Sequence, residues 1–281
     1  MKEHTRSLFA LGTGLWLTLA GCGLGMALAG CEAGDDDVPP PDTTEEPPPA
    51  DDDAVSSVGA DTAPMGVEGS SSIEGRIVYQ GDIPTPPRIS MDADPQCAAK
   101  HDEPVRSQAL VVGDDSGLAN VLVKVASGLP EGNYPPPEEP FVMDQQGCQY
   151  QPHVMAVIAG QDLKVLNSDE LLHNVHALSR VNPAFNRAMP AAVEEAVFEL
   201  PRPEDAFQVK CDVHPWMNAY IEVTEHPFFD VSDANGAFTI EGLPAGTYEI
   251  EAWHERLGTQ TATVTVEEGE SASNDFTFTR E

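Results

Sequence analysis

Two short segments carry side chains whose types and spacing suit one kind of chemistry. The first is Asn167-Ser168-Asp169-Glu170-Leu171-Leu172-His173-Asn174-Val175-His176, and the second is Cys211-Asp212-Val213-His214-Pro215-Trp216-Met217. A thiolate, two imidazoles and a weakly held thioether make up the trigonal two-histidine, one-cysteine set with a long axial methionine that suits one-electron copper chemistry. Soft sulfur favours Cu(I), while imidazole accepts both oxidation states, so a set fixed between the two rearranges little when one electron moves. The expected ligands are His173, Cys211, His214 and Met217, for a single type 1 copper ion. Zinc fits less well, because thioether is a poor zinc ligand and structural zinc sites carry more cysteine.

Strands must position these residues. Counting by twos, Phe207, Val209 and Cys211 share one face of a strand, and Met217, Ala219, Ile221 and Val223 share one face of the next. Cys211 and Met217 then both point into a core at one end of a sandwich. The loop between them carries His214 and is stiffened by Pro215. His173, at the end of another apolar run, is the best candidate for the ligand from a distant part of the chain. Further short runs at 77–79, 121–125, 154–158, 163–166, 238–240, 248–252 and 261–266 also read as strands, separated by Gly, Pro and Asp. No long helical periodicity interrupts them, so the expected fold class is all-β, in sandwiches.

The pair of segments resembles the cupredoxins, over roughly residues 149–223. That resemblance implies a Greek-key β-sandwich at 73–224 with His173, Cys211, His214 and Met217 as ligands. It also implies Asn174 as a residue that ties the two ligand loops together by hydrogen bonds. The implied function is electron transfer at the cell envelope, with an exposed edge of His214 as the electron exit. No enzymatic activity is expected, since copper oxidases and reductases need further His-rich motifs. A copper-sequestering or copper-delivery role, or a surface interaction module, are the alternatives. His176 is expected to hydrogen-bond outside the ligand set and His153 to be structural. His101, His226 and His254 read as surface or packing residues. Val231-Ser232-Asp233-Ala234-Asn235-Gly236-Ala237-Phe238-Thr239-Ile240, followed by Gly242-Leu243-Pro244-Ala245-Gly246-Thr247-Tyr248, resembles the carboxypeptidase regulatory-like domain, a second small β-sandwich at 225–281. That stretch is short for a complete sandwich. It either follows in simple tandem or borrows strands from residues 73–126, with the copper region inserted between.

The N-terminus opens with Lys2 and Arg6, runs through apolar residues 8–20, and reaches Leu-Ala-Gly-Cys twice, at Cys22 and Cys31. It reads as a secretory signal over residues 1–31 whose cysteine motifs resemble a bacterial lipobox, so the chain is expected to be exported, to the periplasm or cell surface, and anchored by lipid. A plain transmembrane anchor is the alternative. Either cysteine suits the anchor: cleavage before Cys31 leaves no odd thiol, whereas the distance to Cys22 is the more usual signal length. Cys97 and Cys148 could then pair in an oxidising compartment. Residues 32–72 hold twelve acidic residues, no basic ones and several prolines, too few apolar groups to offset their ordering entropy; they read as a disordered, extended spacer. The formal net charge of −33 disfavours nucleic acid and suits a basic or neutral redox protein partner.

Overall fold

The computed structural model of the protein describes residues 69–280. The expected signal, both candidate anchor cysteines Cys22 and Cys31, and nearly all of the acidic spacer lie outside the described residues.

Strand β1 (Ser71–Gln80) is followed by a one-turn helix, α1 (Pro95–Ala98), and by β2 (Leu122–Ser127). Next come β3 (Phe141–Gln145), β4 (Tyr150–Gln151), β5 (Val154–Ile158), β6 (Asp162–Asn167), β7 (His173–Ala177) and β8 (Asn186–Met189). Then follow β9 (Glu195–Glu199), β10 (Glu204–Lys210) and β11 (Asn218–Thr224). The remainder is β12 (Phe229–Val231), β13 (Ala237–Leu243), β14 (Gly246–His254), β15 (Gly258–Val266), β16 (Ser271–Ser273) and β17 (Phe276–Thr279). The fold is all-β, as the short punctuated apolar runs imply.

One sandwich is built from a sheet in the order β5-β11-β10-β7-β8 and a sheet in the order β4-β3-β6-β9. Its core takes Met143, Leu163, Val165, Val175, Val209 and Ile221 from the two inner faces. The alternation in β10 and β11 is what period-two patterning demands: Val209, Cys211, Met217, Ala219, Ile221 and Val223 are all buried. β5 reads as an unbroken apolar run because it is covered on both sides. Met155 and Val157 enter this core, and Val154 and Ala156 pack in a separate cluster on the outer face.

The second sandwich draws on both ends of the described chain. β1 lies antiparallel to β13 and parallel to β16 and β17, and β2 lies antiparallel to β12 and β14. Strands β3 to β11 are all inserted between β2 and β12 in the chain. Ile73, Ile77, Phe238, Ile240, Tyr248 and Phe278 fill its core. The turn from β12 to β13 is made by Asp233, whose Oδ1 accepts from the N–H groups of Asn235 (2.8 Å) and Ala237 (2.9 Å). Gly236 sits there at φ +79°, where a Cβ would meet the Ile77 carbonyl at 2.2 Å, so no other residue fits.

The two sandwiches meet along β2, β5, β11 and β14. Leu122, Val154 and Ala156 are buried there against Tyr220 and Trp253. Lys124 of β2 forms an ion pair with the buried Glu222 of β11 and lies 3.3 Å from Glu251 of β14. Burial raises the Glu222 carboxyl above its ordinary range despite Lys124. His153 pairs with Glu255 across the same seam.

Candidate metal centre

The hairpin joining β10 to β11 is closed from within. Lys210 pairs with Asn218, Cys211 N–H donates to the Met217 carbonyl (3.1 Å), and Met217 N–H donates to the His214 carbonyl (2.9 Å). These bonds hold Cys211 and Met217 on the inward face, 2 % and 1 % exposed. β7 runs antiparallel beside β10, with Ala177 opposite Val209, and so brings its first residue, His173, to the same end of the sandwich.

His173, Cys211 and His214 converge there. Their potential ligand atoms all lie within 4.8 Å of one another, and all three residues are buried. The Nδ1 atoms of the two histidines face each other at 2.9 Å, and Cys211 Sγ is 3.8 Å from His214 Nδ1. Among the described residues Cys211 is the cysteine outside a disulfide. Burial alone would raise its thiol pKa, but the contact with His173 and the N–H groups of Asn174, His214 and Val213 bring it below the ordinary value, which favours thiolate. Met217 packs into the first core at the base of the loop.

The outer nitrogens of both rings meet carboxylates. His173 Nε2 lies 3.0 Å from Asp169 Oδ2, and His214 Nε2 lies 3.1 Å from Asp94 Oδ2. Burial pushes Asp169 up, but His173 and the Cys148 and Gly147 N–H groups outweigh it and bring the carboxyl down to about 2. Burial pulls the His173 imidazole down, and Asp169 and Cys211 more than reverse this. Asp94 is held below the ordinary carboxylate range chiefly by His214, then by the Gln96 N–H.

Asn174 Oδ1 accepts the Asp212 N–H, next to Cys211, which ties β7 to the loop between β10 and β11, and its Nδ2 donates to Asn186 Oδ1 of β8 at 2.6 Å. His176 Nδ1 contacts Asp212 at 2.9 Å, outside the cluster. Cys97 and Cys148 form a disulfide with a Cα separation of 5.6 Å. It lies against the centre: Cys97 Sγ is 3.6 Å from His214 Nε2, the Cys148 N–H donates to Asp169 at 2.6 Å, and Trp216 Nε1–H donates to the Cys148 carbonyl at 3.1 Å.

One expectation is corrected. His214 has no exposed edge: it is 2 % exposed, because α1 and the residue before it fold back over the ring and are stapled there by the disulfide. Sequence reasoning also passed over Asp94 and Asp169. Asp169 stands four residues before His173, a spacing that carries no signal by itself. Asp94-Pro95 is a helix-start pair, which marks Asp94 as a cap but says nothing of His214.

A family model for the carboxypeptidase regulatory-like domain matches residues 213–279. The match begins inside the loop between β10 and β11 and runs through β11 to β17. No curated protein matches the chain. Among solved structures, a Cu-containing nitrite reductase from Thermus scotoductus SA-01 is similar at 20 % identity and a TM-score of 0.29, over 36 % of this chain and 25 % of the reductase. This chain therefore spans a quarter of that enzyme's length. The Cu(I) form of an M98A amicyanin is similar at 17 % identity and a TM-score of 0.28, over 36 % of this chain and 97 % of amicyanin. A purple cupredoxin from Nitrosopumilus maritimus is similar at 14 % identity and a TM-score of 0.26, over 30 % of this chain and 99 % of that one.

Proposed function

We propose that this chain is an exported type 1 copper protein that carries single electrons. In this reading strands β3 to β11 form a cupredoxin-like module, inserted into a carboxypeptidase regulatory-like sandwich that β1 and β2 complete. The observation that supports it most is the convergence of His173 Nδ1, His214 Nδ1 and the free Cys211 Sγ in one buried cluster.

The donor set fits copper. Two imidazoles that face each other at 2.9 Å through Nδ1 cannot both carry a proton there, so at least one of the two nitrogens presents a lone pair. The His173 contact and then nearby N–H groups outweigh burial and favour the thiolate form of Cys211, and the soft sulfur and borderline nitrogen donors match copper better than calcium or magnesium. His173, Cys211 and His214 would hold the ion, and Met217 would offer a further, weaker sulfur donor. When bound, copper would supply the one-electron couple. The residues around it keep water out and hold both rings in place through their Nε2 atoms, so little reorganises on electron transfer. No catalytic step is assigned to the chain.

The charge of −33 suits a redox protein partner with a basic or neutral face. Attachment to a membrane through lipid on Cys31 or Cys22 completes the proposal, and replacing each cysteine in turn identifies the lipid site by mass spectrometry. A second reading, copper sequestration, draws support from the buried edge of His214, which favours retention of a metal. Metal off-rate compared with electron self-exchange rate separates the two. The primary test is the visible spectrum of the Cu(II)-loaded protein. A strong thiolate-to-copper band is expected, and it disappears in Cys211→Ser. Uptake of Cu(II) without the band, or a band unchanged in Cys211→Ser, overturns the assignment.

A further inference from the structure

The outer edge of His214 is held by a residue far away in sequence. Asp94 Oδ2 lies 3.1 Å from His214 Nε2, while Asp94 Oδ1 accepts the N–H groups of Gln96 (2.9 Å) and Cys97 (3.4 Å) as the N-cap of α1. Cys97 is joined to Cys148, and Cys148 N–H donates to Asp169, the carboxylate on the other ring. One covalent bridge therefore connects the supports of both histidines. Resting on the copper reading above, we propose that Asp94 is a positioning residue of the centre: it fixes the tautomer and orientation of His214 and makes its Nδ1 a stronger donor to the oxidised metal.

The chemistry follows from the ring. A neutral imidazole carries one N–H, and if Nδ1 faces the metal the proton resides on Nε2 and donates to Asp94. A carboxylate accepting that proton pushes electron density towards Nδ1, as acidic partners do for metal-bound histidines in general. Added donor strength favours the cupric over the cuprous state. The same contact, together with Cys97 Sγ at 3.6 Å, closes the ring's edge to solvent.

Two variants separate positioning from simple structural support. Asp94→Asn keeps a cap acceptor and a neutral acceptor for Nε2–H. Asp94→Ser keeps the cap but is too short to reach the ring. Two measurements are made on each: the Cu(II)/Cu(I) midpoint potential, and hydrogen exchange of the His214 Nε2–H by NMR in metal-free protein. Both variants are expected to shift the relative affinity towards Cu(I) by about tenfold, equivalent to about 59 mV for one electron. The Nε2–H is expected to remain protected in Asp94→Asn and to exchange at least tenfold faster in Asp94→Ser. Potentials unchanged in both variants, or an Nε2–H as protected in Asp94→Ser as in the wild type, overturn the proposal. If the wild type takes up no copper, the function proposed above fails instead. The exchange measurement then still decides whether Asp94 holds His214.

Discussion

His173 Nδ1 and His214 Nδ1 lie 2.9 Å apart although they are 41 positions apart along the chain. The approach is made by strand pairing, since β7 starts at His173 and lies beside β10, which runs into the loop that carries His214. Each ring turns its other nitrogen outward onto a carboxylate, so both inner nitrogens are aimed at one place. The predictions below follow from that arrangement and from its surroundings.

Met217→Leu removes a thioether from a position 1 % exposed while nearly conserving volume, so it should cost less than about 1.5 kcal/mol of stability. If Met217 sulfur donates weakly to the metal, the copper-loaded variant keeps its colour and has a raised midpoint potential. Spectroelectrochemistry reads both. Loss of the visible band would mean that the sulfur does more than tune the centre.

Because Asp94 and Cys97 cover His214, a His214→Gly protein should be poorly rescued by external imidazole. Opening the cover with Asp94→Ala in the same chain should lower the imidazole concentration needed for half recovery of the visible band by about tenfold, corresponding to about 1.4 kcal/mol. Equal rescue in the single and double variants would show that the cover does not restrict access.

Cys97 and Cys148 are 51 residues apart, and closing a loop of that size by a disulfide is worth about 2–4 kcal/mol. The double variant Cys97→Ala, Cys148→Ala should lose about that much in chemical denaturation of metal-free protein. Peptide mapping without reduction should find the two half-cystines in one linked fragment. Free thiols at both positions in protein purified without reductant would refute the pairing.

His254, in the second sandwich, is 1 % exposed, and burial holds its imidazole down to about 4, with Glu255 opposing and His153 and Arg256 adding to the effect. The unfolded chain therefore binds a proton near pH 6.5 that the folded chain refuses until about pH 4. The contribution of His254 is full above pH 6.5, falls as the pH drops from there to about 4, and is constant below, a difference of about 3 kcal/mol. Denaturation midpoints measured across this window should fall with pH, and His254→Gln should reduce that slope, leaving the part due to His226, whose imidazole burial also holds down.

Much of the strand pattern was legible because side-chain alternation is local. Phe207, Val209 and Cys211 on one face, and Met217, Ala219, Ile221 and Val223 on one face, are all buried as counted. The run at 154–158 coincides with β5. β7 was read for its ligand and not as a strand, since His173-Asn174-Val175-His176 has no apolar alternation; it is a strand because β8 and β10 hydrogen-bond it on both sides. β9, Glu-Ala-Val-Phe-Glu, escaped notice as well. It is a sheet-edge strand with acidic ends, and its pairing with β6 sets its conformation.

The sequence by itself determined the donor types, the spacing from Cys211 to Met217 and the inward phase of both, because a six-residue step between two period-two strands leaves little freedom. The tertiary structure alone decided what surrounds those donors. Asp94 reaches His214 across 120 positions, and Asp169 is buried against His173 by Gly147 and Cys148. The borrowing of β1 and β2 by the C-terminal strands was likewise decided in three dimensions. Contacts of this kind come from loop closure over long separations, where the cost depends only weakly on length and no local pattern records which segments will meet.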